Sequence, residues 1–78
     1  MEKLRRTCRT YRTMDEARAA IRALVPGYTL DFIGVFDGPT GQTACWHIGI
    51  AADHRWVGAL YEHPDGQHVV EFRPGLRS

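Results

Sequence analysis

Cysteine is scarce in this chain: there are two among 78 residues, Cys8 and Cys45. Two thiols could pair, but they cannot make the disulfide framework of a small secreted domain. There is no Cys-x-x-Cys and no His-Glu-x-x-His, which removes the usual zinc signatures. No Gly-Lys-Ser/Thr follows a glycine-rich loop, so a P-loop is excluded; Gly38-Pro-Thr-Gly41 and Gly58 form no phosphate-binding fingerprint. No apolar run approaches the ~20 residues that span a bilayer, so no membrane contact is expected. Met1-Glu-Lys-Leu-Arg-Arg leads into no apolar signal core, and a reducing, cytoplasmic location is expected.

Lysine is nearly missing as well. Lys3 stands alone against nine arginines. Such a bias accompanies both nucleic-acid binding and a GC-rich genome, and the arginines after residue 13 are scattered, which suits the second reading. Net charge is +1, too small for a global pull toward nucleic acid or an acidic membrane. The charge is unevenly placed: residues 1–13 carry five basic residues against Glu2, a net +4, and residues 14–78 carry five arginines against eight acids, a net −3. A basic arm thus precedes a mildly acidic body.

Hydrophobic content of 44% with 24% charged residues is that of a globular chain. Seventy-eight residues make one small domain, close to the lower limit for a self-sufficient core, so oligomerisation is expected. A change of rhythm near Gly27 sets the fold class. Before it, Thr13-Met-Asp-Glu16 reads as a capping box, and Met14, Ala17, Ile21 and Leu24 recur at helical spacing. Pro26 and Gly27 stop that pattern, which predicts a helix over 14–24. After it come four strand-like runs, 28–37, 43–51, 55–62 and 67–73, broken at Gly38–Gly41, Ala52–His54 and Pro64-Asp65-Gly66. Residues 1–12 are either a flexible arm or, in part, a polar edge strand. The expected fold is α+β: one N-terminal amphipathic helix on a four- to five-stranded antiparallel meander, β-α-β-β-β-β or α-β-β-β-β, with neighbours in chain order.

Loop lengths predict a register. Leu60 falls opposite Val70 and Glu62 opposite His68. Cys45 falls opposite Glu62, His47 opposite Leu60, Gly34 opposite Cys45, and Phe32 opposite His47. On that register Leu30, Phe32, Phe36, Trp56, Leu60, Val70 and Phe72, with Gly34, Gly49 and Gly58 among them, form the core face. The small residues Ala17, Ala20 and Ala23 suit a helix packed there. The opposite face then holds Ile33, Val35, Trp46, Ile48, Ile50, Val57, Ala59, Tyr61 and Val69. A face that apolar is expected to meet a partner, either a second copy or another protein. A closed small barrel that buries both faces within one chain is the alternative.

The expected function is therefore a small non-enzymatic binding or regulatory module. Its contact residues would be Trp46, Ile48, Ile50, Val57, Tyr61, Ile33 and Val35, with Arg55 at the rim and Trp46 opposite Tyr61 as anchors. A second reading is a nucleic-acid-binding regulator. Arg5, Arg6, Arg9 and Arg12 would neutralise phosphates and Tyr11 would stack on a base. A third is chemistry. The register sets Cys45, Glu62 and His68 in one cross-strand row near His47, and a thiol, a carboxylate and an imidazole can build a nucleophile with its base, or a metal site. A His–Glu pair beside an inert buried thiol is the plainer account of the same row. His54 and His63 fall at turns, and the four histidines match no metal-ligand spacing. No cofactor is implied.

Overall fold

A computed structural model describes residues 7–39, 41–53 and 55–73. The elements are β1 (Thr7–Tyr11), α1 (Met14–Leu24), β2 (Tyr28–Gly38), β3 (Gly41–Ile50), β4 (Trp56–Glu62) and β5 (His68–Phe72). All five strands join one antiparallel sheet in the order β1-β5-β4-β3-β2. The fold is α+β, one helix on a meander, with β1 added beside β5. β1 and β2 are the two edges, so the sheet is open and the closed-barrel alternative does not hold.

The helix begins where the capping box places it. The Glu16 amide donates to Thr13 Oγ1 at 3.1 Å. Glu16 reaches back one residue further than the motif requires, and its Oε1 accepts from the Arg12 amide at 3.1 Å. At the other end the Val25 amide still bonds the Ile21 carbonyl, and Gly27 turns the chain at φ 89°. Ala17 and Ile21 face inward and pack with Val25, Ile48, Val57, Leu60, Val70 and Phe72 into one core. Met14 and Leu24 line its edge. Ala20 is only half-buried and Ala23 is exposed, so the small-residue stripe is not fully used.

The turn at Pro64-Asp65-Gly66 forms as expected. The His63 amide bonds the Gln67 carbonyl at 2.9 Å, Asp65 Oδ1 accepts from the Gln67 amide at 3.0 Å, and Gly66 takes φ 92°. It sets Leu60 opposite Val70 and Glu62 opposite His68.

Two irregularities correct the rest of the expected register. Between β2 and β3, Gly34 does pair with Cys45. An extra residue at Ile33 then shifts the ladder, so Phe32 pairs with Trp46 and not with His47. Between β3 and β4, a second irregularity at Val57 and a turn one step earlier set Trp46 opposite Leu60, Cys45 opposite Tyr61 and His47 opposite Ala59. One step inverts a strand's faces. Trp46, Ile48 and Ile50 therefore point to the helix side, while Cys45, His47 and Gly49 point away. Phe36 pairs with Thr43 on the helix-free side, and Trp56 joins it there.

Gly58 lies where the sheet is most crowded. A Cβ there would collide with the Glu71 carbonyl oxygen and stand 3.1 Å from the Phe72 ring. Because the first obstacle is backbone, rotamer changes cannot relieve it. Gly58→Ala is expected to lower stability by about 1–3 kcal/mol, read as a shift in the urea midpoint at unchanged m-value.

Candidate functional site

The helix lies against β5 and β1. Ile48 of β3 still reaches the core, with Tyr28, Leu30, Trp46 and Ile50 packed at its edge, but among the described residues nothing covers the Phe32–Phe36 stretch of β2, and no helix lies on the opposite side of the sheet. Five strands at ~4.8 Å spacing are wider than one helix of ~10 Å diameter. The consequence is concentrated on β2. Phe32, Ile33, Val35 and Phe36 are 58, 45, 52 and 53% exposed. Phe32 and Val35 share the helix side, and Phe36 points to the other. Phe32 meets Trp46 edge-on, ring centroids 5.5 Å apart. Trp46 in turn is half-buried against the core.

On the helix-free side the aromatic groups form a cluster. The His47 and Trp56 rings lie 4.7 Å apart at 31°. The Arg73 guanidinium stands 5.1 Å from the Trp56 ring centre and donates to the Trp56 carbonyl at 2.9 Å. Trp56 Nε1 is held by the Gly58 carbonyl. Tyr61 is half-buried, its hydroxyl 3.5 Å from Glu71 Oε1. Cys45 and Ala59 are buried on this side among these larger neighbours.

The expected contact residues are thus divided. Ile33 and Val35 are exposed on β2, and Tyr61 is half-buried on the helix-free side. Ile48 and Val57 belong to the core, Ile48 with no exposure at all, and Trp46 and Ile50 pack at its edge. Trp46 and Tyr61 stand on opposite faces, so they are not a facing pair. Arg55 is exposed and tied to Asp53: its amide donates to Oδ1 at 3.0 Å and its guanidinium to Oδ2 at 3.2 Å. The amide bond, with the guanidinium's charge behind it, holds the Asp53 carboxyl below its ordinary range. Phe32, Phe36 and Trp56 were expected in the core and are instead exposed, 58, 53 and 44%.

Of the basic arm, Arg5 and Arg6 lie outside the described residues. Arg9 and Arg12 are exposed. Tyr11 is half-buried and packs against the core. His54 also lies outside the described residues.

The row of Cys45, Glu62 and His68 is not assembled. Glu62 and His68 pair on the helix side, Nε2 to Oε2 3.3 Å, but Cys45 points to the other face. His68 is 6% exposed. Its Nε2 is within ion-pair reach of Glu62, yet neither ring nitrogen has a well-aligned hydrogen bond. Burial pushes the Cys45 thiol up, away from the thiolate a nucleophile needs. His63 Nδ1 lies 3.2 Å from Thr43 Oγ1 and belongs to neither arrangement. Among the described residues no three His, Cys, Asp or Glu side chains are grouped to hold a metal ion, and no helix is long and apolar enough to cross a membrane.

In comparisons with known proteins, no protein-family model, no curated protein and no solved structure matches this chain.

Both cysteines are free, Cys8 exposed and Cys45 buried. Under native conditions at neutral pH, iodoacetamide is expected to label Cys8 alone. Cys45 should follow only after unfolding, as read by mass spectrometry. Equal native labelling of both would show that Cys45 is not buried as described.

Proposed function

We propose that this chain is a small non-enzymatic binding or regulatory module whose protein-contact surface is the β2 end of the sheet. The observation that carries this reading is the set of four large apolar side chains, Phe32, Ile33, Val35 and Phe36, about half-exposed on one unpaired edge strand. An exposed apolar group of this kind marks an interaction site or an aggregation liability, and aromatic residues dominate interface energetics. Trp56, 44% exposed and braced by His47 and Arg73, is a separate exposed aromatic on the helix-free side, at the opposite end of β3 from Phe36. Two unpaired cysteines suit a reducing compartment such as the cytoplasm.

Contact with nucleic acid through Arg9 and Arg12 is the competing reading. Its support is charge, with Tyr11 half-buried against the core. The chemical reading has lost its geometry, because the thiol and the imidazole–carboxylate pair face opposite ways.

A photo-crosslinking residue placed at Phe36, with a second at Arg18 on the exposed face of α1 as control, tests the proposal in intact cells. A protein adduct at Phe36 and none at Arg18 is the expected result. Nucleic-acid adducts, or equal yields at both positions, would overturn it.

A further inference from the structure

We infer that the occupant of this surface is a second copy of the chain, joined antiparallel through the free edge of β2 so that two five-stranded sheets run on into one. The inference rests on the reading of β2 as a protein contact.

The first argument is which faces are exposed. Val35 pairs with Ala44 and shares the helix side with Phe32; Phe36 pairs with Thr43 on the other side. A partner laid on either face of the sheet would cover only one of these sets. A strand added to the edge of β2 becomes a cross-strand neighbour on both faces at once. It also bonds the outward backbone N–H and C=O groups of an eleven-residue edge strand.

The second argument is self-complementarity. Asp31-Phe32-Ile33-Gly34-Val35-Phe36-Asp37 reads nearly alike from either end. In an antiparallel pair about a two-fold axis, the N-terminal half of the segment meets the C-terminal half of its copy. Opposed residues must share a face. The extra residue at Ile33 offsets the two halves of the strand by one, so the axis falls between Ile33 and Gly34. Phe32 then lies beside Val35 of the second copy on the helix side, and Ile33 beside the bare backbone of Gly34. The carboxylates of Asp31 and Asp37 fall across from Phe36 and Leu30 of the second copy. Like charges do not meet.

The third argument is area. With roughly 150–250 Å² for a fully exposed large side chain, the exposed fractions of the four residues amount to about 400 Å² per copy. A standard interface takes about 800 Å² from each partner, some two-thirds apolar in homodimers. The four side chains supply most of that apolar share, and the strand backbone and the half-buried Leu30 and Trp46 border them. The other edge, β1, has five residues and carries Cys8, Arg9 and Thr10, all exposed. A two-fold contact on β2 consumes the apolar edge of both copies and leaves only this short, polar one, so the assembly closes as a dimer.

Sedimentation velocity over a concentration series tests the inference on the full chain, with Val35→Lys, Phe36→Lys and the control Arg18→Glu. The wild type should dimerise. Each lysine, one on either face, should weaken the dimer about tenfold or more, and the control should match the wild type. A dimer weakened by only one of the two would place the contact on a sheet face and overturn the edge pairing. A dimer weakened by neither overturns it as well. Amide exchange in the unmodified protein gives a readout that needs no variant: β2 amides should become more protected as concentration rises, and concentration-independent exchange would overturn the pairing. A wild type that stays monomeric overturns the second copy alone. The reading of β2 as a protein contact then still stands or falls on crosslinking at Phe36.

Discussion

One helix of eleven residues has to shelter one side of a five-stranded sheet. At 1.5 Å per residue it is about 16 Å long, and it can lie over only part of the sheet. It lies against β5 and β1, where Ala17 and Ile21 complete a core with Leu60, Val70 and Phe72. Everything else about the surface follows from that shortfall. β3, next inward from the β2 edge, still reaches the core through Ile48. The start of β2 still packs at the core edge through Tyr28 and Leu30, but Phe32, Ile33, Val35 and Phe36 lie beyond the helix, and nothing among the described residues covers them.

The two irregular points in the ladder decide which side chains share that fate. At β4 the extra residue lets Val57 enter the core while Trp56 goes to the helix-free side. At β2 it sends Phe36 to the side away from Phe32 and Val35, so the edge strand is apolar on both faces. A bulge on an edge strand commonly discourages pairing by twisting the edge away. Here the same device spreads the apolar surface around the edge.

This also explains what could be read from the sequence. The capped helix, the Pro64-Asp65-Gly66 turn and the β4–β5 pairing are set by residues close together in the chain, and each was legible. The faces of β3 were not. Loop length fixes a register only as far as the first bulge, and neither Ile33 nor Val57 carries a local signal that sets it apart from an ordinary strand residue. A single step in the β3–β4 pairing moved Trp46, Ile48 and Ile50 from the surface to the core side and brought Phe36 out, and the extra residue at Val57 brought Trp56 out. That the chain holds more apolar residue than one helix can bury survived the slip, because both faces are apolar in either register. The identity of the exposed residues did not survive it.

The same slip takes apart the Cys45–Glu62–His68 row. A nucleophile, its base and an orienting carboxylate must converge on one point. In a sheet, residues on adjacent strands converge only when they share a face. Glu62 and His68 do, and Cys45 does not. His68 remains a buried imidazole beside the half-exposed Glu62 carboxylate, and Cys45 a buried thiol whose ionisation burial disfavours. Both lie buried in the sheet, and the half-exposed apolar side chains of β2 are the part of the molecule that the described residues leave uncovered.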